Sequence, residues 1–510
     1  MKQNKQLVVN MFASVVTYVV TFGISFFISP YIVESVGTAA YGFIGLANNF
    51  ISYASLISIA LNSMAARFIT IKIKQNDTEG ANRYFSSVFF ANSIVSIFLI
   101  IVFTILFFFL ERIINIPSSI YWDVKILFAL LFANCIIQQI SSVSGVAAFA
   151  TNKLYISSIG SIISQIIRVI ILVLLFVLCV PKVSYMGIAT VVCSIYIFVH
   201  NVLFRRKLLP ELHIKRKYFD FKAIKELLSS GVWNLITRLG QILQDGLDLL
   251  ITNLFIDSAS MGVLSISKTV PTAISGVIAS VASVFSPNFT ILYAEGKKEE
   301  LVKSVKQSIK IMGVIVNIPI IVLMVCGEEF FRLWQPTQDA RQLHILSLFA
   351  CAGLIVVGGV NCIYNIFTVV NKIKLNSLLI CTTGLLSVGT VFVILNTTDW
   401  GIFAVAGVST LYATIRNIAF TLPYGAHCLG IKWYSLYLDA FKSVLFVGVS
   451  TGLCYLIKCI LPFGGGWLSL VLMGIMTAVL SSMVGLFVIL TKADRKYLLE
   501  KMKLKRKNHE

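Results

Sequence analysis

Charge is what this sequence has least of. Of its 510 residues 13% are charged and 57% hydrophobic, with a mean hydropathy of +0.89. Soluble domains carry about 25% charged residues, so a soluble fold is excluded and an integral membrane protein implied. Acid is scarcer still, 22 Asp and Glu against 42 Lys and Arg. No CxxC pair occurs among the ten cysteines, which argues against a metal or dithiol centre. Those in or beside apolar runs (Cys135, Cys179, Cys193, Cys351, Cys362, Cys381) read as small core hydrophobes. Strand-like alternation is absent, which excludes an outer-membrane barrel. No GxxxxGK[ST] loop is present, so an ATP motor would need a partner subunit. No Ser/His/Asp, Cys/His or paired-carboxylate arrangement offers covalent chemistry, and His200 and His427 fall near helix ends. The chain therefore does not read as an enzyme. Long loops are missing too: 205–227 and 286–302 are the largest on one face, and "GEEFFRLWQPTQDARQ" the largest on the other. A polymerase or ligase working on sugars outside the cell would be expected to carry more.

What is present is a series of apolar runs, each long enough to cross a ~30 Å hydrocarbon core as a helix. Fourteen are read, at 7–29, 40–62, 85–110, 124–148, 157–180, 185–204, 228–256, 260–285, 303–326, 343–368, 375–396, 401–424, 438–461 and 467–491. The first is too long for a signal-peptide core and reads as a permanent span. An even count puts both termini on one side. That side holds 31 of the 42 Lys and Arg, against six opposite (Arg112, Lys125, Lys182, Arg332, Arg341, Lys458). By the positive-inside rule both termini are cytoplasmic, and the net charge of +20 is a topology signal instead of a nucleic-acid footprint.

The run "WNLITRLGQILQDGLDLLITNLFI" (233–256) carries three charges. Asn234, Arg238, Gln241, Asp245, Asp248 and Thr252 recur at steps of 4, 3, 4, 3 and 4, which on a regular helix is a single face. Asn10, Ser14, Thr17 and Thr21 repeat the first four positions at an offset of 224. Asn48, Ser52 and Ser55 are answered by Lys268, Thr272 and Ser275 at 220, as Gly42 is by Gly262. "FITIKIKQNDTEGANRYF" is matched from Phe289 at 221. Two homologous six-helix halves follow: 1–222, including a basic linker, and 223–430. Helices 13–14 (431–491) and a basic tail (492–510) come after them. With an even number of spans each, the halves share an orientation, and a binding site is expected where they meet.

A charge at a helix centre costs about 2.5–3.5 kcal/mol on insertion scales, so the stripe is expected to serve either pairing between helices or a wet cavity. Arg238 sits ten residues into its run, ~15 Å deep. Asp245 or Asp248 is placed to pair with Lys268. Four intramembrane cations (Arg168, Arg238, Lys268, Arg416) face two acids (Asp245, Asp248). Such an excess calls for water or an anion, and the guanidinium fork suits phosphate. Asn134, Gln138, Gln139, Asn361 and Asn365 are open to two readings, sugar contact or helix packing.

At this point "SPYIVESVGTAAYGFIGLANNF", "WNLITRLGQILQDGLDLLI" and "VASVFSPNFTILYAEGKKEEL", set among fourteen helices, carry a family likeness. The chain resembles the polysaccharide-transport (oligosaccharide flippase) branch of the multidrug/oligosaccharidyl-lipid/polysaccharide exporter superfamily. The resemblance implies an all-α membrane fold of two six-helix bundles around a cationic central cavity, with two extra C-terminal helices. It implies alternating-access transfer of undecaprenyl-diphosphate-linked oligosaccharide across the bacterial cytoplasmic membrane. Arg238 and Lys268 would bind the substrate, with Arg168, Asn234, Gln241 and Asn48 beside them. Asp245 or Asp248 would couple H⁺ or Na⁺, and no other cofactor is expected. The implied partners are the lipid-linked oligosaccharide, membrane lipids and polysaccharide polymerase or assembly proteins, with no nucleic acid. In related lipid II flippases the last two helices form a lipid-binding groove; here "FVGVSTGLCYLIKCILPFGGGWLSLVLMGIM" has few residues to define one. An ion-coupled multidrug antiporter of the same superfamily is the alternative, though it would favour an acidic, aromatic cavity. A non-transporting scaffold would leave the repeated stripes unexplained.

Overall fold

A computed structural model describes residues 2–460 and 464–489. Side chains are described from Val9 onward, save Met11, Phe12, Ser14 and Val15. The basic tail and the last residues of the fourteenth run lie outside the described residues. The described chain is helical throughout, with no strand. Among the described residues thirteen helical stretches are long and apolar enough to cross a membrane. Phe221–Phe255, the stretch with the charged stripe, is not among them and completes the fourteen. The chain divides into two compact units, Met1–Ser265 and Ile266–Glu510.

The first unit holds α1 (Lys2–Val36), α2 (Thr38–Lys74), α3 (Thr78–Ile113), α4 (Tyr121–Ser141), the short α5 (Val146–Ala150), α6 (Leu154–Leu178) and α7 (Ser184–Leu208). It continues through α8 (Phe221–Gln241), a π-turn at Ile242–Gly246, α9 (Asp248–Phe255) and nearly all of α10 (Ser258–Ser267). This unit thus takes in the whole charged run, whereas the sequence repeat starts a second half at 223. Three hydrogen bonds pin α9 to the turn after α3: Asn115 N and Nδ2 donate to Asn253 Oδ1 and O, and Asn253 Nδ2 donates to Asn115 O, at 2.8–3.0 Å. At the other end α8 lies so close to α2 that a Cβ on Gly231 would overlap the Ala60 carbonyl. Small residues are how membrane helices reach such separations.

The second unit holds the rest of α10 and then α11 (Thr269–Ala294), α12 (Lys298–Trp334), α13 (Ala340–Val369), α14 (Ile373–Thr397) and α15 (Ile402–Arg416). A second π-turn at Asn417–Thr421 leads to α16 (Leu422–Leu429), α17 (Tyr437–Ile460) and α18 (Trp467–Val488). The last two helices pack on α12. Ile321, Val325 and Cys326 meet Phe446, Val447, Cys454 and Met473 in one buried cluster. Polar ties flank it, Lys310–Asp439 at 4.0 Å and Lys458–Glu329 at 2.6 Å. The final helix pair is therefore anchored to this unit.

Internal repetition is visible in the backbone. After α2 the N–H groups of Gln75, Asn76 and Asp77 donate to Ile71, Ile73 and Lys72; after α11 those of Glu295, Gly296 and Lys297 donate to Ile291, Tyr293 and Leu292, each 220 residues on. After α5 Thr151, Asn152 and Lys153 bond Ala147, Phe149 and Ala148; after α13 Val370, Asn371 and Lys372 bond Ile366, Thr368 and Phe367, 219 residues on. Asn76, Asn152, Asn371 and Gly296 all take positive φ, between 55° and 69°, in the left-handed position that closes a Schellman turn. The junctions Tyr41 N to Gly37 O and Met261 N to Asp257 O keep the offset of 220. The match of Asn10–Thr21 to 234–245 at 224 is therefore about one helical turn out of register. A stripe that recurs every three or four residues cannot by itself detect such a slip. The offset of 220 for Gly42 and Gly262 agrees with the turns, and the two glycines meet: a Cβ on the first would lie 2.8 Å from Cα of the second.

Candidate functional site

The charged run is not one regular helix. Between Gln241 and Leu247 the backbone widens into the π-turn Ile242–Gly246. One extra residue in a turn rotates everything beyond it by roughly 100°. This corrects the expectation of a single six-residue face. Arg238, Gln241 and Asp245 are exposed, and Asn234 is half-buried on the same helix. Beyond the turn Asp248 and Thr252 point inward, 4% and 0% exposed. The stripe is split into an open part and a buried part, by a kind of turn that is frequent at functional sites.

Each part has defined partners. Arg238 Nη1 donates to Gln241 Oε1 at 3.3 Å. Asn234 Nδ2 donates to Ser63 Oγ on α2 at 3.2 Å. Tyr53, also on α2, gives its hydroxyl to the carbonyl of Gly246 at the π-turn and lies within electrostatic reach of Asp248. Asn48, one turn before Tyr53, is exposed and turns its amide back onto Ile44 O at 2.9 Å. The candidates Asn48, Asn234, Arg238, Gln241, Asp245 and Asp248 thus all lie in unit 1, on α2 and the α8–α9 run.

Arg168 lies elsewhere in that unit, on α6, half-buried and near Tyr41 of α2 and Cys193 of α7. Its Nε and the Oε1 of Gln165, one turn earlier, have no hydrogen-bond partner among the described residues. Cys193 itself donates to Ser164 O at 3.1 Å.

Lys268 belongs to unit 2 and sits in the break between α10 and α11. The cause of the break is local. Pro271 has no N–H to give to the carbonyl four residues back, at Ser267. Ser347 of α13 fills the vacancy, donating Oγ–H to Ser267 O at 2.6 Å. Lys268 is held at this interruption. Ser347→Ala should lower stability by about 1 kcal/mol, seen as a lower unfolding midpoint in detergent. An unchanged midpoint would show that Ser267 finds another donor.

Arg416 precedes the second π-turn, where Pro423 cannot bond Ala419. It is buried and donates to Thr383 Oγ1 at 3.4 Å. Its neighbour Asn417 accepts from Tyr364 Oη at 2.6 Å. Three of the uncharged polar residues left open by sequence, Asn134, Gln139 and Asn365, bind one helix to another. Gln139 bonds Ser58 and Asn92, Asn134 accepts from Gln138 and Ser194, and Asn365 donates to Ala282 O. Among the described residues no His, Cys, Asp and Glu group could hold a metal. Tyr53, Ser347, the break at Lys268 and both π-turns were missed in the sequence, although Pro271 was a signal for the break and Pro423 for the second π-turn.

Comparison with known proteins agrees with this architecture. The Bacillus subtilis (strain 168) uncharacterized membrane protein EpsK is 25% identical over 497 residues, 97% of this chain and 98% of its own. Among solved structures, lipid II flippase MurJ in an inward closed conformation has a TM-score of 0.67 at 15% identity, covering 94% of this chain and 99% of that one. An inward-facing multidrug resistance MATE family transporter of the MOP superfamily also scores 0.67 at 14% identity, covering 81% and 94%. These likenesses establish the fold. The family model described as polysaccharide biosynthesis protein matches residues 7–293, and the chain is a membrane protein of the polysaccharide biosynthesis protein family.

Proposed function

We propose that this protein is a flippase for anionic, undecaprenyl-diphosphate-linked oligosaccharide, working by alternating access in the bacterial cytoplasmic membrane with both termini inside. The observation that carries the reading is Arg238: a guanidinium deep in a membrane run, exposed, and hydrogen-bonded to the neutral side chain of Gln241. Exposure to acyl chains would be prohibitive, so such a group faces water and is available to an anion. A diphosphate supplies that anion, and its oxygens match the guanidinium fork. Gln241, Asn234 and Asn48 offer neutral hydrogen bonds to sugar on the same unit, while the prenyl chain remains in lipid. Arg168, on α6 of the same unit, adds positive charge for the same ligand, and Lys268 is the cationic candidate of the second unit. The fold is shared by a multidrug transporter and a lipid II flippase, so the choice between these classes rests on this chain's own basic residues and on its family. No chemical step on the substrate is involved.

With no nucleotide site in the sequence, the drive is an ion gradient. Asp248, buried beside Tyr53, is the better candidate carrier, because a carboxylate shut away from water can hold H⁺ or Na⁺ until the site opens. Asp245, exposed, is the alternative. Asp248→Asn should abolish the dependence of transport on the gradient, and Asp245→Asn should weaken it less. If both variants kept full transport and unchanged ion dependence, neither residue would be the carrier. The flippase reading itself is tested in cells by deletion. Lipid-linked sugar should accumulate on the inner leaflet; altered drug tolerance without that accumulation would favour the antiporter.

A further inference from the structure

The segment joining α7 to α8 is bound to its unit by an unusual concentration of side chains. Along the first turns of α3, Asn82 accepts from His213 N and donates to Glu211 O, at 2.6 and 3.0 Å. Ser86 donates to His213 O and accepts from Lys215 N at 3.0 and 3.2 Å, and Ser87 accepts from Asp220 N at 2.8 Å. Leu209 and Leu212 insert into the core formed by Ile69, Phe85, Ala147 and Leu227. This loop is built to hold one shape.

The shape sorts its charges. Between 205 and 227 there are eight Lys and Arg against three acids. Two of the acids are engaged from α3: Asp220 pairs with Arg83, and Glu226 accepts from the Tyr84 hydroxyl. Lys215, Arg216, Lys217, Lys222 and Lys225 are all exposed. Among them Phe219 and Phe221 are also open, 41% and 71% exposed, at the point where α8 begins. Aromatic rings beside cations at the mouth of a membrane helix are the composition of an interfacial anchor. Clusters of four to eight juxtamembrane cations attract anionic lipid headgroups.

We propose that this clamped linker is a binding site for anionic phospholipid headgroups of the adjacent leaflet. Its cations meet the phosphates, and Phe219 and Phe221 sit at the acyl boundary. Because α8 follows directly and carries Arg238 seventeen residues on, lipid held here fixes the membrane entry of the helix that carries the candidate site. The inference does not depend on which substrate the protein moves.

The experiment uses the full-length protein in nanodiscs of phosphatidylcholine doped with phosphatidylglycerol, with retained lipid counted by native mass spectrometry. Wild type should retain phosphatidylglycerol in preference to phosphatidylcholine, and the preference should weaken as salt rises. Each cation strengthens attachment about fivefold, so Lys215→Ser/Arg216→Ser/Lys217→Ser should bind phosphatidylglycerol about a hundredfold more weakly. Arg332→Ser, an exposed cation elsewhere in the chain, should leave binding unchanged. Equal retention of both lipids by wild type, or no difference between the triple variant and wild type, would overturn the proposal. So would an acidic polypeptide such as poly-glutamate displacing phosphatidylglycerol from the wild type, since the patch would then belong to a protein partner.

Discussion

Arg238→Ala should lower translocation of a diphosphate-linked oligosaccharide about ten- to hundredfold in reconstituted vesicles, with little change in unfolding midpoint. The size follows from the interaction removed: a charge-assisted hydrogen bond contributes about 1.5–3 kcal/mol, and 1.4 kcal/mol is a factor of ten. Stability should survive because Arg238 is exposed and its bond to Gln241, at 3.3 Å, is long and lies within one helix. Arg238→Lys should recover part of the loss, since lysine restores the point charge without the planar fork. Lipid-linked substrates carrying a single phosphate should be less sensitive to the exchange. Normal rates in the alanine variant would remove Arg238 from the substrate path and leave Lys268 and Arg168 as the cationic candidates.

Gly231→Val should have the largest effect on stability. The α8–α2 contact has no room for a side chain at 231, where a Cβ would overlap the Ala60 carbonyl and lie 2.8 Å from its Cα. Backbone cannot rotate aside as the end of a flexible side chain can, so the helices must separate. Overpacking of this kind costs about 1–3 kcal/mol. The measurement is the midpoint of thermal or denaturant unfolding in detergent, and a midpoint equal to wild type would show that the two helices are not in fixed contact. Separation should also lengthen the Asn234–Ser63 bond, now 3.2 Å, so transport should fall along with stability. Gly448→Val, at a glycine with nothing within 4 Å of an added Cβ, is the matched control.

Much of the architecture was legible because a bilayer leaves the sequence few choices. Apolar runs of about twenty residues must be helices, and their number and flanking charges follow from composition. The repeat was legible in part. Gly42 and Gly262 gave the offset of 220 directly because a close backbone approach leaves a glycine that nothing else replaces. The stripe Asn10–Thr21 gave 224, because helical periodicity repeats every turn and a slip of four residues keeps the same face, whereas the stripe Asn48, Ser52 and Ser55 gave 220 as the glycines did. The π-turn at Ile242–Gly246 was not legible at all. No proline marks it, and a regular helix at 3.6 residues per turn put Asp248 and Thr252 on the face of Arg238, whereas they are buried. Proline does mark the break at Lys268, yet its consequence, a bond from Ser347 80 residues away, needs the tertiary structure. Asn134, Gln139 and Asn365 were ambiguous for a different reason. An amide serves sugar and helix packing with the same two groups, so only its partners decide.

The most direct test is translocation by the purified protein. Vesicles would carry fluorescent undecaprenyl-diphosphate oligosaccharide, with accessibility to a membrane-impermeant quencher followed under an imposed H⁺ or Na⁺ gradient. The account predicts protein-dependent transfer of the lipid-linked sugar between leaflets, driven by one of the two gradients and reduced by Arg238→Ala. Vesicles in which the protein moves cationic dye on the same gradient and leaves the lipid-linked sugar where it was placed would contradict it.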